Sequence, residues 1–294
     1  MWDHIFQVVK FDETEIVCQV SHASTKRDIT ARYVIDASGH RRAVMKSLGV
    51  VGDFNRLGVG VEYEFKNWGD KKTAQLFVGN DFAPSEYGWI FPTNKETVRV
   101  GVGIIRPDTE AAPKQLLEEF LKSDMPKRLN LKIGDLQERH FGVIPSDGPS
   151  AVFVHGKCIA VGDAVGQALP LVGEGIRFCI DSGRHAGEAI AHALKDSRNE
   201  DAYLQVYVDW WNKKHRRSFT VAQKTNFRVS AYDDAKWDEK VGMLTLFNGD
   251  LMAAFLRGEF SYKSIFILLS RNPMLATYHL FKRVIRRIQA KMTR

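Results

Sequence analysis

Alternating apolar and polar residues mark the beginning of the chain and predict β structure there. Residues 6–9 and 16–20 are apolar runs on either side of a polar turn, as in two neighbouring strands. Residues 33–35 form another apolar strand, which ends at Asp36 and Ala37. A strand that ends in an acidic residue and a small-residue turn is typical of a parallel-sheet edge beside a ligand.

Farther along, the chain changes from strand patterns to helical ones. Apolar runs predict further strands at 57–65, 74–79, 87–92, 97–105 and 157–161. Helical spacing predicts a helix over 113–122, which has Pro at its first turn, and a long helix over 175–194. After Asp201 the pattern is helical almost to the end.

This order of elements predicts an α/β (α+β) protein in which one sheet domain is interrupted by a second sheet. We expect residues 1–50 and 135–198 to form one Rossmann-like domain. The inserted, mostly antiparallel sheet is expected over 51–134. A C-terminal helical region is expected over 199–294.

Composition favours a globular protein, since 44% of the 294 residues are hydrophobic and 26% are charged. No apolar run approaches the roughly 18 residues of a membrane-spanning helix, and the N-terminus does not resemble a signal peptide. The cysteines Cys18, Cys158 and Cys179 form no CxxC pair. This predicts reduced thiols in a cytoplasmic protein, with neither a zinc site nor a disulfide framework.

The net charge of +7 is concentrated near the C-terminus. Residues 280–294 contain six basic residues and no acidic one, while apolar residues recur every four positions. This pattern predicts a basic amphipathic helix. It could lie on an anionic membrane surface or pack on the protein with a solvated face. Because the rest of the chain is nearly balanced in charge, no nucleic-acid partner is expected.

The main candidate ligand-binding residues lie in two neighbouring places. The predicted strand at 157–161 ends in Gly162 and Asp163, and a glycine-flanked turn then begins the long helix. Glycine lets a ligand pass close to the backbone, and the carboxylate can bind the hydroxyl groups of a ribityl chain. Gly173, Gly175 and Ile176 lie at the start of the helix, whose free N–H groups and dipole can hold an electron-rich ring edge. The simpler alternative is a structural turn in which Asp163 only caps a neighbour.

Three aromatic residues alternate along the strand at 87–92, so Tyr87, Trp89 and Phe91 point to the same face. They can form an apolar wall for a flat or greasy substrate. The alternative is ordinary sheet core.

The segment that contains Gly162, Asp163 and the glycine-flanked turn resembles the second FAD fingerprint of the p-hydroxybenzoate-hydroxylase-like flavoproteins. Within that superfamily the chain resembles the geranylgeranyl reductase family, including the archaeal digeranylgeranylglycerophospholipid reductases. Further similarity lies in four segments, DASG at 36–39, YGWIFP at 87–92, GVG at 101–103, and RGEFS at 257–261 with Asn272-Pro273.

The resemblance implies an FAD-binding domain with Asp163 near the ribityl and pyrophosphate groups. Gly175 and Ile176 would make backbone contacts near the ring, while Gly162, Gly173, Asp36 and Ala37 would complete the cofactor site. It also implies that Tyr87, Trp89 and Phe91 face a prenyl chain.

The chain departs from the family in having no GxGxxG motif. The glycine pairs at 58 and 60 and at 101 and 103 lack a third glycine and lie within strand patterns. We therefore expect an incomplete FAD-binding domain that lacks the N-terminal βαβ unit, and weak FAD binding by the chain alone. Arg42 stands where the family commonly has Ser; Arg41 and Arg42 could meet a phosphate or lie in a solvated loop.

The function predicted from these features is FAD-dependent reduction of carbon–carbon double bonds in geranylgeranyl (prenyl) chains during membrane lipid biosynthesis. NAD(P)H or ferredoxin is the expected electron donor. One alternative is a flavin-dependent halogenase or aromatic monooxygenase, because YGWIFP is close to the halogenase pattern WxWxIP. Another is an inactive fragment or partner subunit without flavin.

The remaining candidate residues give little indication of function. Cys158 and Cys179 are expected to be buried packing residues, and no proton donor is identified. His155 is expected in a loop and His185 as a packing or solvent-facing residue of the long helix, while His140 has no partner of suitable spacing in the sequence.

Overall fold

The computed structural model describes residues 4–11, 15–22, 25–67, 72–93, 96–244 and 249–259. The chain divides into two compact units, Met1–Asp234 and Ala235–Arg294. The finer domain boundaries expected from the sequence remain a prediction. The basic stretch 280–294 and the segments at 260–261 and 272–273 lie outside the described residues.

The first unit begins with an antiparallel sheet of three strands, β1 (His4–Phe11), β2 (Ile16–His22) and β3 (Thr25–Ala31), in the order β1-β2-β3. The central strand buries Ile16 and Cys18, which are two residues apart and therefore share a face. The β structure predicted for this region is confirmed.

A second, small sheet joins two distant parts of the sequence. Strand β4 (Val34–Asp36) pairs in parallel with β11 (Cys158–Ala160), so that Asp36 lies opposite Ala160. On the other side β11 pairs with β10 (Val154–His155), which gives the order β10-β11-β4. The pairing places the two predicted strand ends, at Asp36 and after Ala160, at the same edge of the sheet.

Between β4 and β11 lies an antiparallel sheet of five strands in the order β6-β7-β8-β5-β9. The strands are β5 (Leu57–Asn67), β6 (Gln75–Gly79), β7 (Ala83–Pro92), β8 (Thr97–Arg106) and β9 (Ile133–Pro145). The sequence pattern did not reveal β9, because mostly polar residues occupy its middle.

One face of this sheet forms the main core of the protein. Every second residue of β5 and β8, such as Val61, Tyr63 and Val100, is buried against α2 (Pro113–Lys122), and a short helix, α3 (Met125–Arg128), follows α2. The intervening residues therefore point to the opposite face. On that face lie the glycine pairs of β5 and β8 and the alternating aromatic residues of β7.

The remaining helices of the first unit are α1 (Ala43–Ser47), α4 (Ile176–Lys195) and α5 (Glu200–Val229). Phe178 of α4 meets Trp211 and Phe219 of α5 edge-on, with ring centroids 6.0 and 4.9 Å away. Helix α6 (Asp234–Leu244) begins at the end of the first unit, and α7 (Gly249–Leu256) belongs to the second. Across the described residues, no helix has both the length and the apolar character needed to cross a membrane.

His215 lies within the aromatic cluster between α4 and α5 and gives the first testable prediction. Only 9% of the residue is exposed, and its Nε2 atom has no hydrogen-bond partner among the described residues. Burial, reinforced by the positive charges of Lys214 and Arg177 and opposed by Asp181, lowers the pKa of His215 to about 4.

Because the pKa of His215 is lower in the folded state, the unfolded state alone takes up this proton between pH 6.5 and pH 4. The free energy of unfolding therefore falls as the pH drops through this range. We expect His215→Phe to remove part of that loss, as measured by thermal unfolding at a series of pH values. The control His192→Phe, at an exposed position of α4, should leave the pH dependence unchanged, and an unaltered profile in His215→Phe would refute the assignment.

Candidate functional site

A cavity of about 310 Å³ lies on the glycine-bearing face of the five-stranded sheet, where the sheet meets the loop before α4. Strands β5, β7, β8 and β9 supply most of its walls, and Pro170, Val172 and Gly173 of the loop supply the rest. The structure therefore brings the predicted substrate wall and the predicted ring-binding turn to one space, although about 85 residues separate them in the sequence.

Two of the three predicted wall residues line this cavity. The ring centroids of Tyr87 and Trp89 lie 5.9 Å apart in an edge arrangement. Phe91 stacks on Trp89 at 6.2 Å, but it is 37% exposed and is not one of the lining residues. Phe91 therefore supports the indole from behind.

A row of glycines forms the floor of the cavity. Gly60 of β5 lies opposite Gly103 of β8 and Gly142 of β9. A Cβ atom on Gly60 would lie 3.5 Å from the Trp89 ring, and one on Gly101 would overlap that ring. The paired glycines of β5 and β8 thus leave room for the indole and the cavity, and their position within strands is confirmed.

The loop before α4 is tied to the sheet at two points. The Tyr87 hydroxyl donates a hydrogen bond of 2.7 Å to the carbonyl oxygen of Val172. Gly173 has a φ of 65°, a left-handed conformation that favours glycine, and a Cβ there would lie 2.5 Å from Ile144 Cδ1. Both the conformation and the close approach of Ile144 therefore favour glycine in this turn beside the cavity.

Asp163 follows β11 in a short 3₁₀ helix and lies beside the start of α4. Its Oδ1 atom is 3.3 Å from the position that a Cβ on Gly175 would occupy. Gly175 is the N-cap residue of α4, no side chain in the described part of the chain caps this end, and Ile176 is 78% exposed. Gly162 (φ 61°) packs so closely on Cys179 that a Cβ would lie 2.9 Å from its sulfur.

The surroundings of Asp163 shift the pKa of its carboxyl group. Burial raises its pKa, and the charge of His40 lowers it in part. Among the described residues the carboxylate accepts no hydrogen bond. A half-buried acceptor without a protein partner, beside free N–H groups of a helix start, can receive the hydroxyl groups of a ligand.

Asp36 lies at the predicted strand end, but its carboxylate accepts hydrogen bonds from the protein backbone. The residue is fully buried, and Oδ2 accepts hydrogen bonds from the backbone N–H groups of Val44 (3.1 Å) and Met45 (3.0 Å). Oδ1 accepts from the N–H of Ser38 at 3.1 Å. The side chain therefore fixes the turn and the start of α1, while Ala37 is exposed in that turn.

The structure corrects both expectations for Arg42. The residue is 5% exposed, so it lies neither in a solvated loop nor free to meet a phosphate. Its Nε donates to the carbonyl of Ala164 (3.1 Å), and its Nη2 donates to Ser150 Oγ (2.8 Å). Arg42 thus holds the turn before α1 against the turn that carries Asp163, whereas Arg41 is exposed.

The sequence shows no partner of suitable spacing for His140, but the structure brings one to it from a neighbouring strand. His140 of β9 lies directly opposite Glu62 of β5, with 3.1 Å between Nδ1 and Oε1, and its Nε2 is 2.9 Å from Glu138. Glu138 first and Glu62 second raise the pKa of His140. The other oxygen of Glu62 accepts a 2.7 Å hydrogen bond from Trp89 Nε1, which orients the indole. Only the pairing of β5 with β9 reveals this cluster.

Cys158 is a buried residue as expected, whereas Cys179 is only half-buried. Cys158 is fully buried in β11, and burial raises its pKa to about 12. Burial also raises the pKa of Cys179. Both thiols are therefore protonated near neutral pH. His185 lies 3.8 Å from Trp210 between ring centroids, and His155 is an exposed residue of the short strand β10.

Glu86 lines the cavity and was missed in the sequence. Strict alternation would place Glu86 and Tyr87 on opposite faces of β7. Ser85, directly before them, has a φ of 68°, and its hydroxyl accepts a 2.9 Å hydrogen bond from the N–H of Ile105. This kink breaks the alternation, so both neighbours border the cavity.

Solved structures with this arrangement of sheets and helices define the class of fold. A geranylgeranyl bacteriochlorophyll reductase-like protein from Thermoplasma acidophilum superposes with a TM-score of 0.75 and 19% identity, over 92% of this chain and 67% of the other. The flavin-dependent brominase Bmp2 superposes with a TM-score of 0.61 and 18% identity, over 94% and 70%. The chain has the fold of flavin-dependent oxidoreductases, and the predicted fold class is confirmed.

Sequence comparison adds a similarity to one family. Residues 58–136 match the geranylgeranyl reductase catalytic domain. Digeranylgeranylglycerophospholipid reductase 1 of Methanococcoides burtonii is 28% identical over 230 residues, which are 75% of this chain and 55% of the relative. The resemblance to the geranylgeranyl reductase family is thus confirmed. The chain spans about half the length of the curated relatives it matches.

Proposed function

We propose that this chain carries the substrate cavity and part of the flavin site of an FAD-dependent oxidoreductase that reduces carbon–carbon double bonds in prenyl chains. The main support is the cavity that Tyr87 and Trp89 share with the loop before α4. It joins the residues expected to face the substrate to the turn expected to face the flavin ring.

The residues around Asp163 fit a flavin. A Cβ on Gly162 would lie 2.9 Å from the Cys179 sulfur and one on Gly175 would lie 3.3 Å from Asp163 Oδ1, so the backbone at both glycines is closely approached. The Asp163 carboxylate has no hydrogen-bond partner among the described residues. Asp163 would accept hydrogen bonds from the ribityl hydroxyls, and the backbone of Gly173, Gly175 and Ile176 would hold the ring edge. Asp36 and Ala37 would act through the shape of their turn.

A reduced flavin supplies a hydride when bound, and the protein supplies orientation and a dry site. Tyr87 holds the ring-binding loop against the sheet through Val172. Trp89, fixed by its hydrogen bond to Glu62, offers a flat wall for an unsaturated chain. The glycine floor lets the chain lie close to the strand backbones.

The proposed substrate is the prenyl chain of a membrane lipid, because the cavity is bordered largely by apolar residues and the matched relatives are named for such lipids. Such a reaction also needs a reductant, for which NAD(P)H and ferredoxin are the candidates. The basic residues between 280 and 294 would hold the protein at an anionic membrane surface, where these substrates reside.

The function is tested by supplying FAD, reducing it chemically without oxygen, and adding a geranylgeranyl lipid. We expect reoxidation of the flavin together with a saturated lipid product detected by mass spectrometry. Product formation only with oxygen and halide would instead support the halogenase alternative. A colourless protein with no affinity for added FAD would support the fragment or partner-subunit alternative.

A further inference from the structure

Glu86 is a carboxyl group at the cavity wall with one oxygen bound and one free. The Asn226 side-chain N–H donates to Oε2 at 3.2 Å. Among the described residues Oε1 has no hydrogen-bond partner. The Glu86 Cγ atom lies 3.3 Å from the position of a Cβ on Gly103, so the glycine floor also admits this side chain. The carboxyl group is thus held in place with one oxygen available.

A buried network behind Glu86 pairs the Arg56 guanidinium with Asp108. Arg56, only 4% exposed, donates through Nη1 to Asn226 Oδ1 at 2.8 Å. This contact turns the amide so that its NH₂ group faces Glu86. The Arg56 guanidinium forms its ion pair with Asp108, with Nε 3.3 Å from Oδ1, and lies 4.0 Å from the Phe227 ring centroid. The positive charge of Arg56 is paired with the carboxylate of Asp108 and not with that of Glu86.

Burial therefore dominates the titration of Glu86. It raises the pKa to about 8, against the lowering effects of the Asn226 hydrogen bond and the Arg56 charge, and Asp108 raises it further. Tyr87 adds no charge near neutral pH, since its own pKa is raised above the usual value. Glu62 and His140, the other ionisable groups that line the cavity, are paired with each other. Burial thus favours the neutral, protonated form of Glu86.

Saturation of a carbon–carbon double bond needs a hydride on one carbon and a proton on the other. The acid's O–H bond breaks, a C–H bond forms, and the carboxylate then regains a proton from solvent. Neither Cys158 nor Cys179 lines the cavity. The Tyr87 hydroxyl donates its hydrogen bond to the carbonyl oxygen of Val172, and the Glu62–His140 pair orients Trp89.

We propose that Glu86, held by Asn226, is the catalytic acid that donates the proton to the carbon opposite the site of hydride transfer. The inference rests on the proposed function and adds the proton donor that the sequence did not identify.

The first test needs no flavin. Because the pKa of Glu86 is higher in the folded state, the folded state alone keeps this proton between pH 4.5 and pH 8, and its stabilising effect is lost as the pH rises through that range. We expect this slope in thermal unfolding of the unaltered protein and its loss in Glu86→Gln, which keeps the size and the contact with Asn226. The control Glu119→Gln, at an exposed position of α2, should keep the slope.

The second test measures single-turnover reoxidation of the reduced, FAD-loaded protein by a geranylgeranyl lipid without oxygen. Glu86→Gln should slow reoxidation about 100-fold or more, the usual contribution of a general acid, with unchanged FAD affinity. The rate of the unaltered protein should fall above about pH 8. Glu86→Asp, which keeps an acid, should recover part of the rate and the pH dependence, whereas a purely structural role would give no recovery.

The possible failures are distinguishable. If the unaltered protein does not reduce the lipid, the proposed function fails and the role of Glu86 fails with it. If the unaltered protein reduces the lipid and Glu86→Gln does so at the same rate with the same pH profile, the proposed function stands and the role of Glu86 is refuted. A Glu86→Gln protein that retains the stability slope also refutes it.

Discussion

Asp163→Ala should weaken FAD binding about 10- to 100-fold while leaving the fold intact. A hydrogen bond to a charged group contributes about 1.5–3 kcal/mol, and each 1.4 kcal/mol corresponds to a factor of ten in affinity. The Asp163 carboxylate accepts no hydrogen bond from the described residues, so its loss leaves no protein donor unpaired. The measurement is a titration of flavin fluorescence, with thermal unfolding recorded on the same samples.

Asp209→Ala is the matched control, because this carboxylate is exposed on α5 and contacts Gln205. It should bind FAD as the unaltered chain does. Equal affinities for Asp163→Ala and the unaltered chain would remove Asp163 from the flavin site. A protein that no longer folds would show that the carboxylate serves the structure, as that of Asp36 does.

Gly142→Trp should block the cavity and lower the rate of prenyl reduction about 100-fold, since small displacements of a reacting group can cost that much. Gly142 is the exposed member of the glycine row that lines the cavity, and nothing lies within 4 Å of a Cβ placed there. The Cβ of the new side chain therefore meets no neighbouring atom, and we expect the indole to occupy space that the substrate needs. Steady-state reduction of a geranylgeranyl lipid measures the effect.

Gly52→Trp controls for the bulk of the new side chain, because Gly52 also has open space around its Cβ position but does not line the cavity. FAD affinity should be unchanged in both variants, and only Gly142→Trp should lose prenyl reduction. Full activity of Gly142→Trp would place the substrate outside this cavity.

Local patterns made part of the site predictable. Gly162, Asp163, Gly173 and Gly175 lie within fourteen consecutive residues, so a strand end, a turn and a helix start suffice to bring them together. The common face of Tyr87 and Trp89 follows from the two-residue period of a strand. These relations need no knowledge of how distant segments pair.

Other features depend on pairing that the sequence does not reveal. The Glu62–His140 contact requires the register of β5 with β9, and the Tyr87–Val172 hydrogen bond joins two domains of the predicted organisation. The position of Asp36 at a strand end was predictable, but its hydrogen bonds to α1 were not. Glu86 was hidden because the Ser85 kink breaks the alternation on which the strand argument depends.

The most direct measurement is the crystal structure of this chain with FAD bound. We expect the ribityl hydroxyls at Asp163 and the ring against Gly173 and Gly175, with one side of the ring open to the cavity beside Tyr87 and Trp89. A flavin bound elsewhere, or an Asp163 carboxylate closed off by neighbouring side chains so that no ring reaches the start of α4, would contradict the assignment.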